Sequence, residues 1–167
     1  MSNEPSFIDR FLSTNRDRTL LLQRIALGII MFPHGAQKLL GWFGGYGYSG
    51  TMGFFTDTMH IPAPLAFLII VAESLGAIGL VLGAGTRLAA LGIIAVMLGA
   101  IVTTHAHVGF FMNWFGAQQG EGFEYHLLAL ALALPLAIRG GGLFSMDGAM
   151  AGRLRSDAVP LPHPSRT

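Results

Sequence analysis

His34, Lys38, Glu73, His105, Glu124 and His126 can each hold or pass a proton, and each sits in or at the edge of an apolar stretch. Ionisable groups are costly in such surroundings, so where they occur they mark sites, relays or counter-ions. Their chemistry is hydrogen bonding to a bound molecule and proton transfer to it. The densest example is Arg24 to Lys38, RIALGIIMFPHGAQK, which also carries Gln37. At about 100° per residue, Arg24, Gly28, Met31, Gly35 and Lys38 share one stripe, with His34 a turn before Lys38. Pro33 removes a backbone donor and predicts a kink just before His34. His105 and His107 lie about 200° apart on a helix, as do Glu124 and His126, so only one of each pair can face a given point. The chain has no cysteine, which excludes disulfides, thiol relays and iron–sulfur ligation by its own side chains.

The elements that position these groups are membrane spans. Of 167 residues, 52% are hydrophobic and only 11% are charged, against about 25% charged in a soluble domain. The expected fold class is all-α, an integral membrane four-helix bundle with a short interfacial helix in the first outer loop. A net charge of +1 gives no reason to expect a nucleic-acid partner. The expected division is a cytoplasmic N-terminal segment at 1–18, a transmembrane domain at 19–149 and a polar, disordered tail at 150–167. Phe7, Ile8, Phe11 and Leu12 suggest a short surface helix. Span one runs over about 19–43, span two over 62–82, span three over 86–108 and span four over 123–138. The interfacial helix is expected over 52–60. No cleavable signal is expected, because Arg10, Arg16 and Arg18 stand among acidic residues without an apolar core.

Eight arginines (Arg10, Arg16, Arg18, Arg87, Arg139, Arg153, Arg155 and Arg166) fall in the tails or the second loop. The positive-inside rule then puts both termini in the cytoplasm of a multi-pass inner-membrane protein. His34, Lys38, His105, His107, Glu124 and His126 gather towards the outer leaflet, beneath two aromatic, glycine-bearing loops. Glu73 lies deeper, and Arg24 is expected to pair with it. Trp42 and Trp114 suit the membrane–water interface and could cover a ring bound below them.

Five blocks, HGAQKL, AES-G, FFMNW, GEGFEYHLL and GGGLFSMDG, in this order resemble the DoxX family of four-helix membrane proteins. The resemblance covers roughly Arg24 to Ala149. The family is similar to the membrane subunit of thiosulfate:quinone oxidoreductase, so the resemblance implies a quinone-facing or redox-partner role. On this reading His34, Lys38, Glu73 and Glu124 are the catalytic candidates. His105, His126, Trp42 and Trp114 are the candidates for contact with a quinone. The lipid bilayer, a redox partner protein and a second copy in a homo-oligomer are the other partners expected. Two alternatives stand beside it: a non-catalytic anchoring or assembly subunit, and a metal site built from Glu73, His105, Glu124 and His126. No Glu-x-x-His pair is present, and on that ground no metal is expected.

Overall fold

The computed structural model describes residues 12–14 and 16–157, and every regular element among them is helical. Helix α1 (Arg18–Leu40) starts where the Asp17 side chain accepts the Thr19 N–H at 2.7 Å, and it ends at Gly41, whose φ of 74° only glycine adopts freely. It runs unbroken through Pro33. A single 3-10 turn follows at Trp42–Gly44, then α2 (Gly47–Gly53). One π turn, Phe54–Thr58, extends α2 and closes with Met59 N–H donating to the Phe54 carbonyl. Helix α3 (Ala63–Leu82) begins beside Pro62 and Pro64, where a missing N–H is harmless. Helix α4 (Thr86–Ala100) passes directly into a second π turn, Ile101–His105. Helices α5 (Glu124–Arg139) and α6 (Met146–Asp157) complete the described residues.

Among the described residues, three helices are long and apolar enough to cross a bilayer: α1, α3, and α4 with its π turn. Helix α5 has 16 residues, about 24 Å at 1.5 Å per residue. It is shorter than a typical span yet takes the fourth place in the bundle. Helix α1 packs on α3, α3 on α4, α4 on α5 and α5 back on α1, which closes a ring. The core inside the ring includes Leu27 and Met31 of α1, Leu80 of α3, Ile93 of α4 and Ala133 and Leu136 of α5. Large apolar side chains face outward instead: Leu22 is 69% and Leu88 67% exposed. In a water-soluble bundle such exposure would be a liability, but in lipid it is the solvated face.

At the end of the bundle where α1 begins, Arg24 is buried and bonds to backbone carbonyls, with the Asp147 carboxylate nearby. Its guanidinium donates to the carbonyls of Leu80, Val81, Gly141, Leu143 and Phe144, at 2.5 to 3.3 Å. The expected Arg24–Glu73 pair is therefore absent. Antiparallel packing explains it, because Arg24 lies level with the C-terminus of α3, where spare carbonyls and the negative dipole end hold a cation. Glu73 is at mid-helix, about 10 Å along the axis from Leu80. Beside Arg24, the Asp147 carboxylate accepts the N–H groups of Gly85 and Thr86 and caps α4.

Residues 146–157 are helical, so the C-terminal segment is ordered further than the expected boundary at 149. The remaining tail and the suggested surface helix at residues 7–12 lie outside the described residues, apart from Leu12.

Candidate functional site

The site begins with a missing side chain. A Cβ on Gly35 would stand 2.4 Å from the Glu73 carbonyl oxygen, so only glycine lets α1 and α3 touch backbone to backbone here. One turn on, that approach brings Lys38 Nζ to 2.5 Å from Glu73 Oε2. The Glu73 side chain is 5% exposed and that of Lys38 is 25% exposed. Lys38 thus turns into the bundle instead of reaching for the headgroups. Because Glu73 is central in α3, an unpaired charge there would be severely destabilising, and the pair keeps both groups in place.

Aromatic and imidazole rings continue the polar surface across the bundle. His34 of α1 lies 5.9 Å from Tyr125 of α5, Tyr125 lies 5.6 Å from His126, and His126 lies 4.2 Å from His105, all between ring centroids. The π turn ending at His105 widens α4 by one residue, and such turns recur at functional sites. The His105 ring is held by a 2.8 Å bond between Nδ1 and the Glu121 carbonyl. His126 is buried and its Nδ1 has no hydrogen-bond partner among the described residues.

These groups line one cleft of about 1020 Å³. Its inner wall includes Met31, Met97 and Tyr125, and its roof includes Phe54 and Phe55. It also reaches Leu68, Leu75 and Leu88, which are exposed on the outer surface. The cleft therefore opens to lipid along the α3–α4 seam. In shape and chemistry it can admit a flat apolar molecule from the bilayer and present it with several hydrogen-bonding groups.

Of the residues singled out in the sequence, the fold brings together His34, Lys38, Glu73, His105 and His126. It puts the others elsewhere. Glu124 accepts from the Met112 N–H at 3.0 Å and from Trp114 Nε1 at 3.2 Å, so it organises the α4–α5 loop. Trp114 is 78% exposed, and Trp42 packs edge-on against Phe43 outside the cleft. His107 is exposed and lies off the cleft wall. Tyr125 and Glu121 line the cleft without having been singled out. For Tyr125 a signal existed, since it directly precedes His126 and shares the inward-facing side of α5. Among the described residues, no three His, Asp or Glu side chains are grouped so as to hold a metal ion.

The DoxX family model matches residues 19–106, an interval that contains His34, Lys38, Glu73 and His105. A protein of Bacillus subtilis (strain 168) named "Putative oxidoreductase CatD" is 28% identical over 127 residues, which cover 76% of this chain and 83% of that protein. No solved structure matches the chain.

Proposed function

The chain belongs to the DoxX family, and from that membership we propose that this multi-pass membrane protein is a quinone-interacting oxidoreductase, or the quinone-facing subunit of a redox complex. The observation that carries the reading is His126. Its buried Nδ1 has no partner among the described residues, and His126 lines a lipid-open cleft. A buried polar atom left unbonded is destabilising by about 1–3 kcal/mol, and a ring oxygen of a bound ligand would relieve it. The name of the Bacillus relative supports the oxidoreductase class.

A quinone accepts two electrons and two protons on becoming a quinol. The side chains of this cleft match the proton half of that chemistry. Lys38 and His126 would bond ring oxygens, Glu73 holds the Lys38 ammonium inside the cleft, and His34 and Tyr125 complete the polar wall. The long apolar groove beside Leu68, Leu75 and Leu88 suits a hydrocarbon tail. Without cysteine the chain offers no thiol relay, so the electrons are assigned to a redox partner protein, with assembly as a homo-oligomer compatible. The distribution of arginines supports an inner-membrane protein with both termini in the cytoplasm.

Equilibrium binding of a ubiquinone analogue to the purified protein in nanodiscs tests the reading. Wild type is expected to bind saturably, and His126→Phe to weaken binding by about tenfold, or 1.4 kcal/mol. Glu124→Gln, which alters the loop and not the cleft, should leave the affinity within about twofold, well under 1 kcal/mol. Non-saturable uptake by wild type, or equal affinities for wild type and His126→Phe, would sink the proposal.

A further inference from the structure

Lys38 is the chain's sole lysine, and it borders two cavities. One is the lipid-open cleft. The other, of about 270 Å³, is lined by Gln37, Gly44, Gly45, Tyr46 and Thr51 as well as by Lys38. Phe54 and Phe55 line both. The π turn and the Lys38 side chain together form the partition between them. Glu73 borders the cleft and is absent from the lining of the smaller cavity.

The two cavities differ in chemistry. Leucine side chains frame the mouth of the cleft, and hydrocarbon beyond it carries no water to exchange protons with. The smaller cavity is framed by a glycine turn, the Gln37 amide and the Thr51 hydroxyl. Its rim residue Tyr46 is 81% exposed at the end of the bundle opposite Arg24. It is large enough for several water molecules, and it has polar groups to hold them. Gly45 makes this geometry possible, because a Cβ there would lie 2.3 Å from the Gln37 carbonyl.

We propose that Lys38 is the proton port of the cleft, connecting Glu73 to the aqueous phase through this loop-end vestibule. The ammonium passes a proton to the Glu73 carboxylate, which leaves a neutral amine and a carboxylic acid. The amine then takes a proton from hydronium in the vestibule and is an ammonium again. The net change is one proton moved from vestibule water to Glu73, with no electron transferred. A route through His105 and the Glu121 backbone is the rival path, since both also border the cleft. The proposal rests on the quinone reading only for the use to which the proton is put.

A sole lysine makes the test direct. In full-length protein carrying ¹⁵N-lysine, in lipid nanodiscs without quinone, Lys38 Nζ gives one side-chain resonance whose proton exchange with water can be timed. Thr51→Leu, which fills the vestibule, is expected to slow that exchange by about tenfold, the factor for 1.4 kcal/mol of added barrier. Gln37→Met, which removes a polar wall at similar volume, is expected to slow it in the same direction and decides the matter if Thr51→Leu does not fold. Ala95→Leu narrows the cleft alone, and His105→Phe blocks the rival path, so neither should change the rate. Unchanged exchange in the vestibule variants, or slowing in Ala95→Leu or His105→Phe, overturns the port. Vestibule-dependent exchange in a protein that binds no quinone would keep the port and remove the quinone reading. Quinone binding with vestibule-independent exchange would do the reverse.

Discussion

Arg24 and Lys38 are both cations inside apolar helix packing, and they are neutralised in different ways. Lys38 bonds a carboxylate, whereas Arg24 bonds five carbonyl oxygens with the Asp147 carboxylate near but not bonded to it. The difference predicts opposite behaviour in double variants. Lys38→Met strands the Glu73 carboxylate and should lower stability by about 3 kcal/mol, and adding Glu73→Gln should recover most of it. Arg24→Ala leaves orphaned carbonyls and should also cost about 3 kcal/mol, but Glu73→Gln should give no recovery, since distant sites add independently. Thermal unfolding in detergent of the single and double variants checks both statements. Recovery of Arg24→Ala by Glu73→Gln would restore the partnership that the sequence suggests and the fold contradicts. That partnership was a reasonable expectation: two opposite charges lay in neighbouring spans, and only the antiparallel register separates them. The Lys38–Glu73 pair was hidden for a related reason. Lys38 is close enough to the end of α1 that reaching outward looked as favourable as turning in.

Element by element, the spans were legible because a run of apolar residues is a direct consequence of bilayer thickness. The second span expected at 62–82 is Ala63–Leu82, and the fourth expected at 123–138 is Glu124–Arg139. The π turns at Phe54–Thr58 and Ile101–His105 were not legible. Each inserts one residue into a helix without changing its composition, so nothing in the residue types announces it. Helix α6 was missed because Asp147, Gly148, Gly152 and Arg153 lower its helical and apolar signal, while Asp147 is in fact engaged in capping α4. Gly35 is the element-scale determinant of the site. Gly35→Ala puts a methyl against the α3 backbone and should destabilise the bundle by about 3 kcal/mol. Because Lys38 and Glu73 are then pushed apart, the same variant should speed proton exchange at Lys38. Wild-type stability in Gly35→Ala, by thermal unfolding, would mean that α1 and α3 do not touch as described.

For the whole molecule, the ring of helices gives two unlike ends. One end is tied by Arg24 and Asp147 to backbone groups. The other carries the vestibule, the ionisable part of the cleft and exposed aromatics such as Trp114 and Phe115, while the apolar part of the cleft runs back to Ala84 and Gly85 at the tied end. The arginine pattern predicts that the tied end faces the cytoplasm. A reporter active only in the periplasm, fused after residue 167, should therefore stay silent in cells that express the protein. Strong activity would reverse the sidedness of the proton port as well. The Arg24 tie also reaches into biosynthesis. Its acceptors Gly141, Leu143 and Phe144 lie 117 to 120 residues later in the chain. The first span therefore leaves the ribosome with a cation whose partners have not yet been translated. Until residues 141–144 are made, that span lacks three of the five carbonyls that hold its cation. A single arginine thus couples the packing of the first span to chain synthesised more than a hundred residues later.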